Sequence, residues 1–166
     1  MTQYLQSPFN YSENAFLYVP KEIPDPKDEL FNLVLVKKLL PLLKASKGRA
    51  FVLVTSLKSM EEIGALLKDE LKKNEINYPV ITQGEGPKSD LLQQFKKHGN
   101  AILIGSLSFW EGIDVRGPAL NLVIIDKLPF QSPGDPVFES KIKLLSEEGI
   151  NAFMSMQLPE AIIRLK

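Results

Sequence analysis

The sequence predicts an α/β fold built on a mostly parallel sheet with helices on both faces. Three observations carry that prediction. Short, nearly continuous apolar runs occur at residues 50–54, 101–105 and 122–125, a pattern suited to strands buried on both faces. Stretches with apolar residues at helical spacing separate them, and Gly and Pro mark most of the junctions. Strands alternating with helices make βαβ units, whose crossovers should be right-handed.

Taken in order, Pro8, Pro20, Pro24 and Pro26 punctuate the start, and Ala15-Phe16-Leu17-Tyr18-Val19 between them suits a strand. Residues 27–46 read as a helix through Leu30, Leu33, Val34, Leu39 and Leu40, with Pro41 expected to kink or interrupt it and Lys47-Gly48 to stop it. Arg49 to Thr55 follows as a buried strand. Ser56 or Ser59 can cap the next helix, Ser59 with Glu62 at capping-box spacing, and Met60, Ile63, Leu66, Leu67 and Leu71 give it one apolar face. Residues 79–82 read as a short strand, 83–87 as a tight loop and 88–98 as a helix. Residues 101–105 and 120–126 are two further strands. Residues 135–147 read as a helix, and 158–166 as the start of another.

A chain of 166 residues fits one domain, and 44% apolar content is enough for a core. No apolar run reaches the roughly 20 residues that span a bilayer, and no secretory signal is visible at Met1-Thr2-Gln3-Tyr4. With no Cys there is no disulfide, thiolate zinc site or Cys-ligated iron–sulfur cluster in this stretch. Twenty basic and twenty acidic groups cancel, which argues against a nucleic-acid binder working by bulk charge. The charge is nonetheless uneven. Residues 31–60 hold Lys37, Lys38, Lys44, Lys47, Arg49 and Lys58 and no acid; a solvated helix face explains that block without a partner.

In parallel sheets ligands bind beyond the carboxyl ends of the strands. The loops of interest therefore begin at Thr55, Thr82, Gly105 and Asp126. The longest, 105–117, packs three Gly, two Ser and two carboxylates into thirteen residues beside Phe109 and Trp110. Such a loop brings backbone close to a ligand, or it is a plain connection whose acids cap the next turn. The aromatic pair reads as core rather than as a stacking platform for bases. Lys127, at the end of a strand, can reach phosphate or pair with Asp126. His98 sits at an expected helix end, where the dipole accounts for it.

The run Gly-Ser-x-Ser-Phe-Trp-Glu-Gly-Ile-Asp-Val-x-Gly at 105–117, followed by Leu-Val-Ile-Ile-Asp-Lys-Leu-Pro-Phe at 122–130, closely resembles the DinG-type helicases of superfamily 2, relatives of the xeroderma pigmentosum group D helicase. Ser7-Pro8-Phe9-Asn10-Tyr11 resembles the start of their second motor domain. Residues 51–56 resemble motif IV, 83–86 the intervening loop, 105–117 motif V and 157–166 the lead-in to motif VI. The resemblance implies a RecA-like three-layer α/β/α fold, with residues 1–166 forming the second, C-terminal motor domain, cut before motif VI and its arginine finger. Met1 would then begin an excised piece. The family's Walker A loop, acidic box and cluster cysteines belong to the first motor domain, and none occurs here.

By the same resemblance ATP lies in a cleft between two motor domains. The absent first domain mainly holds the phosphates and Mg²⁺, and carries the iron–sulfur cluster where the parent has one. Glu111, Gly112 and Asp114 would face the ATP cleft, with Gly112 permitting close approach and Asp114 pairing with an Arg or Lys or orienting the ribose rather than meeting phosphate; its plain alternative is to cap its own loop. Thr55, Ser56, Gly105, Ser106 and Ser108 would offer amides and hydroxyls to the phosphates of single-stranded DNA, with Gln83, Gly84 and Lys127 as further contacts. Helix capping is the plain alternative for Thr55 and Ser56, and an ordinary turn for Gln83 and Gly84. No catalytic residue and no metal ligand is expected in this stretch. The expected parent is a cytoplasmic bacterial enzyme that unwinds DNA 5′ to 3′ in repair or replication, with single-stranded DNA and its own first motor domain as partners and no membrane. The alternatives are a small-molecule-binding α/β domain or a non-motor interaction module on the same fold.

Overall fold

The computed structural model describes residues 7–106, 109, 113, 115, 117–131 and 134–165. Four strands, β1 (Ala50–Leu53), β2 (Val80–Thr82), β3 (Ile102–Gly105) and β4 (Leu122–Ile125), form one all-parallel sheet in the order β2-β3-β1-β4. The helices are α1 (Tyr11–Asn14), α2 (Phe31–Ser46), α3 (Leu57–Lys73), α4 (Lys88–His98), α5 (Pro136–Glu147) and α6 (Leu158–Leu165), the last entered through a π-helical turn at Phe153–Gln157.

Alternate side chains of the strands divide between two apolar layers, as a doubly covered sheet requires. Val52, Ile102, Ile104 and Ile124 join Val36, Leu43, Ile63 and Leu67 of α2 and α3 on one face. Phe51, Leu53, Ile81 and Leu103 join Leu91 and Phe95 of α4, with Phe109, on the other. The result is the expected three-layer α/β/α arrangement. Leu43, Ile63 and Leu67 have no solvent exposure, and burying each such side chain is worth about 1.5–3 kcal/mol.

Most of the element boundaries lie where the sequence puts them, and the exceptions have physical causes. Residues 27–30 precede α2 rather than opening it, because Asp25 and Asp28 accept the amides of Lys27 and Leu30 and fold that stretch into turns. Pro41 does not interrupt α2; Leu39 and Leu43 are buried on either side of it and hold both halves against the core. The helix ends with Lys47 in the left-handed region and the Gly48 amide donating to the Leu43 carbonyl at 2.9 Å. Gly48 is required there: its φ is +75°, and a Cβ would lie 2.1 Å from the Asn100 carbonyl oxygen.

Ser56 is the cap of α3, accepting the Ser59 amide at 3.1 Å, so Ser59 sits within the first turn and makes no box with Glu62. Residues 15–19 form no strand. They make no ladder bond to any described residue, and Phe16 is 89% and Leu17 86% exposed. An apolar, β-branched run signals a strand only when a partner edge lies beside it.

Candidate functional site

Because all four strands run parallel, their carboxyl ends share one edge of the sheet. Leu53, Gly105 and Ile125 stand in register across β1, β3 and β4, and Thr82 stands level with Ile104. Thr55, Ser56, Gln83, Gly84, Gly105, Ser106 and Lys127 all therefore lie on this rim. Of the other residues expected at the site, Ser108, Glu111, Gly112 and Asp114 lie outside the described residues, as does Trp110.

Two cross-ties organise the rim. Between β2 and β3, the Gln83 side-chain oxygen accepts both the Ser106 amide at 2.7 Å and the Ser106 hydroxyl at 2.9 Å. Between β1 and β4, Asp126 accepts the Thr55 amide at 3.1 Å and, more weakly at 3.5 Å, its hydroxyl. The Thr55 and Ser106 donors, which the sequence suggests for phosphate, are thus satisfied inside the protein. Ser56 is likewise engaged in capping α3, and its hydroxyl lies 2.8 Å from that of Ser59.

The Asp126 side chain is fully enclosed. Burial raises its pKa above the usual 3.8, opposed by Lys127, whose Nζ lies 3.4 Å from the carboxylate, and by the Thr55 amide. Lys127 keeps part of its side chain in solvent, with its ammonium 5.6 Å from the centre of the Phe31 ring. Sequence reasoning paired Asp126 with Lys127 but missed its grip on Thr55, since the two are 71 positions apart.

The turn after β2 is closed by a second carboxylate that sequence reasoning passed over. Glu85 accepts the Thr82 amide at 3.0 Å and holds Lys68 of α3 at 3.2 Å, while Gly84 takes a φ of +101° with open space around its Cα. The available signal was a Glu in a Gly-x-Gly turn three residues past a strand.

Gly105 has a different role. A Cβ there would stand 2.8 Å from Cβ and Cγ of Phe109, so its bareness lets that ring seal the end of the second apolar layer. Phe109 is buried, with Lys88 of α4 5.2 Å from its ring centre. It is core, as expected, and not a platform for bases. The basic block of residues 31–60 is dispersed over the fold. Lys37 and Lys44 lie on the exposed side of α2, Lys47 and Arg49 at the opposite end of β1 from the rim, and Lys58 in the first turn of α3. Among the described residues, no three His, Cys, Asp or Glu side chains converge on a cation position.

The sequence family described as Helicase C-terminal domain matches residues 39–166, from within α2 onward. This chain belongs to the helicase C-terminal domain family. The match takes in all four strands and every rim residue named above. The chain is 42% identical to the ATP-dependent DNA helicase YoaA of Haemophilus influenzae over 162 residues, 98% of this chain and 24% of that protein. It is 43% identical to the YoaA helicase of Escherichia coli over 98% of this chain and 25% of that protein. A protein of Bacillus subtilis named 3′-5′ exonuclease DinG is 32% identical over 99% of this chain and 18% of its own length. This helicase C-terminal domain thus spans about a quarter of the YoaA helicases it matches. No helix among its described residues is long and apolar enough to cross a membrane.

Proposed function

We propose that residues 1–166 are the second, C-terminal motor domain of a cytoplasmic ATP-dependent DNA helicase, and that the rim of the sheet is its working face. The observation that carries this reading is the meeting of seven sequence-flagged residues on one edge of a sheet in a helicase C-terminal domain. In this reading the rim faces single-stranded DNA at one end and, through Glu111, Gly112 and Asp114, an ATP cleft at the other. Its partner across that cleft is a first motor domain of the same polypeptide.

The chain has no G-x-x-x-x-G-K-[ST] phosphate loop, and the described residues of its rim offer mainly polar oxygens and amides. The phosphates of ATP and their Mg²⁺ therefore fall to the first domain, along with any iron–sulfur cluster, and this domain supplies one wall of the cleft. Bound ATP would supply the free energy that closes and reopens the two domains.

The cross-ties give the rim its chemistry. DNA phosphates compete with Gln83 for the Ser106 donors and with Asp126 for the Thr55 donors, so strand contact and release reduce to an exchange of acceptors at fixed backbone positions. Such contacts position DNA without reading its sequence, which suits stepping along a single strand, 5′ to 3′ in the family it resembles and in the service of repair or replication.

The test is anisotropy of a fluorescein-labelled oligothymidine titrated with the purified chain at low and high salt. Weak binding that fades steeply as salt rises is expected; tight, salt-insensitive binding would refute the half-motor reading. In the longer helicase, Asp114→Ala should reduce DNA-stimulated ATP hydrolysis more than DNA affinity, and normal turnover in that variant would remove Asp114 from the site.

A further inference from the structure

Among the described residues β2 pairs with β3 alone, and the Gln83 amide at its end donates to the Ile104 carbonyl at 2.9 Å. Amides alternate sides along a strand, so the Thr82 amide faces outward, away from β3. Glu85 meets it there. One carboxylate oxygen accepts the Thr82 amide at 3.0 Å, and the other takes the Lys68 ammonium of α3 at 3.2 Å. The Glu85 amide also donates to the Thr82 carbonyl at 3.1 Å.

The turn that Glu85 closes has little else to fix it. Gly84 and Gly86 flank Glu85, and glycine leaves the backbone wide freedom. A Cβ at Gly84 would meet nothing within 4 Å, so no neighbour holds the turn from that side. Gln83 leaves β2 at the root of this turn, and its side-chain oxygen crosses to β3 to accept the Ser106 amide at 2.7 Å and hydroxyl at 2.9 Å. The Gln83 backbone is thus tied to Ile104 on one side and runs into the Glu85 turn on the other. The Lys68 and Glu85 side chains are 52% and 46% exposed, so their ion pair is weak alone and screened by salt. The bond to the Thr82 amide makes Glu85 the anchor, and Lys68 supports it from α3.

We propose that Glu85, supported by Lys68, is a positioning residue of the rim: it sets the turn that aims Gln83 at Ser106, and so governs how readily a DNA phosphate draws the two Ser106 donors. The first step rests on the geometry alone, and the second rests on the DNA-contact reading proposed above. With the turn held, Gln83 returns to Ser106 at little entropic cost and competes strongly with phosphate. With the turn slack, ordering Gln83 costs more, and phosphate wins the donors more easily. Glu85 and Lys68 act on Ser106 only through Gln83 in this arrangement.

Hydrogen exchange of the Ser106 amide, read by NMR on the purified 166-residue chain, tests the first step. Glu85→Ala should speed that exchange about tenfold and Lys68→Met about threefold, with the Leu103 amide in the middle of β3 unchanged. Glu85→Gln keeps an oxygen for the Thr82 amide and should match Lys68→Met. Unchanged Ser106 exchange in Glu85→Ala would overturn the proposal, as would equal acceleration at Leu103, which marks a general loosening of the domain. Anisotropy of labelled oligothymidine tests the second step on the paired variant Lys68→Met/Glu85→Ala, which keeps the net charge of the chain. That variant should bind about two- to threefold more tightly, and the gain should vanish when the comparison is repeated in a Gln83→Ala background. A gain that persists there would overturn the proposal, because Glu85 would not be acting through Gln83. If affinity is the same in every variant while Ser106 exchange still responds to Glu85, the DNA-contact reading fails and the positioning of Ser106 by Glu85 stands.

Discussion

β1 and β3 are buried at all four of their positions, while β4, hydrogen-bonded to the same β1, leaves Val123 and Ile125 open to solvent. The strands are equally apolar in sequence. The difference lies in their neighbours: β3 sits between β2 and β1 with α3 and α4 on its two faces, and among the described residues β4 has a strand neighbour on one side only. A buried strand and an edge strand can thus share a sequence pattern, and what separates them is which polypeptide lies beside them.

The sharpest way to break that comparison is to truncate one β-branched side chain to Ala in each region. Ile104→Ala in β3 removes side-chain atoms with no exposure and should cost the isolated chain about 2–5 kcal/mol in urea denaturation. Val123→Ala in β4 should cost less than about 1 kcal/mol in the same assay. Equal losses would mean that β4 is covered after all.

Next in size is Gly105→Ala. The added methyl meets the buried Phe109 ring at 2.8 Å, and the forced shift should cost about 1–3 kcal/mol, measured as a lowered denaturation midpoint. An unchanged midpoint would show that Phe109 does not depend on Gly105 for its seat.

The two cross-ties should differ as their bond lengths do. Gln83→Ala strips Ser106 of two short bonds and should cost about 1 kcal/mol. Thr55→Ala removes one long hydroxyl contact while keeping the amide bond to Asp126, and should cost under about 0.5 kcal/mol. On the proposed function, Gln83→Ala should also change the chain's affinity for single-stranded oligothymidine, since it removes the Gln83 acceptor from the Ser106 amide and hydroxyl.

The smallest effect is electrostatic. Burial raises the pKa of Asp126, so the folded state holds its proton more tightly than the unfolded chain does. Its contribution is present below the ordinary carboxyl value of 3.8 and is lost as pH rises through the raised folded value. Asp135 runs the other way. The Phe138 and Val137 amides at the start of α5 hold its pKa low, so its contribution is present above the ordinary value and lost as pH falls through the lowered one. Asp126→Asn should flatten the first slope in a stability-against-pH series and leave the second. A series unchanged by the substitution would show that Asp126 does not titrate differently on folding.

The legible part of the molecule was the part governed by local pattern. Residues 88–98 form the helix their spacing predicts, and the strands after Arg49, Pro79, Asn100 and Asn121 all appear. The placement of Thr55, Gln83, Gly105 and Lys127 on one rim also followed from the sequence, because parallel strands must end together. Pairings across long separations were not legible. Nothing near Thr55 announces Asp126, and nothing in residues 15–19 announces that they pair with no strand among the described residues. The π-helical turn at Phe153–Gln157 went unforeseen for a related reason: helical periodicity does not register one extra residue in a turn.

The central claim is that this domain is half of a motor, and ATP turnover by the purified 166-residue chain tests it most directly. Phosphate release should stay at the no-protein background at millimolar MgATP, with or without saturating single-stranded oligothymidine. Hydrolysis above background that rises on adding the oligonucleotide would place a complete catalytic site within these residues and contradict the two-domain arrangement.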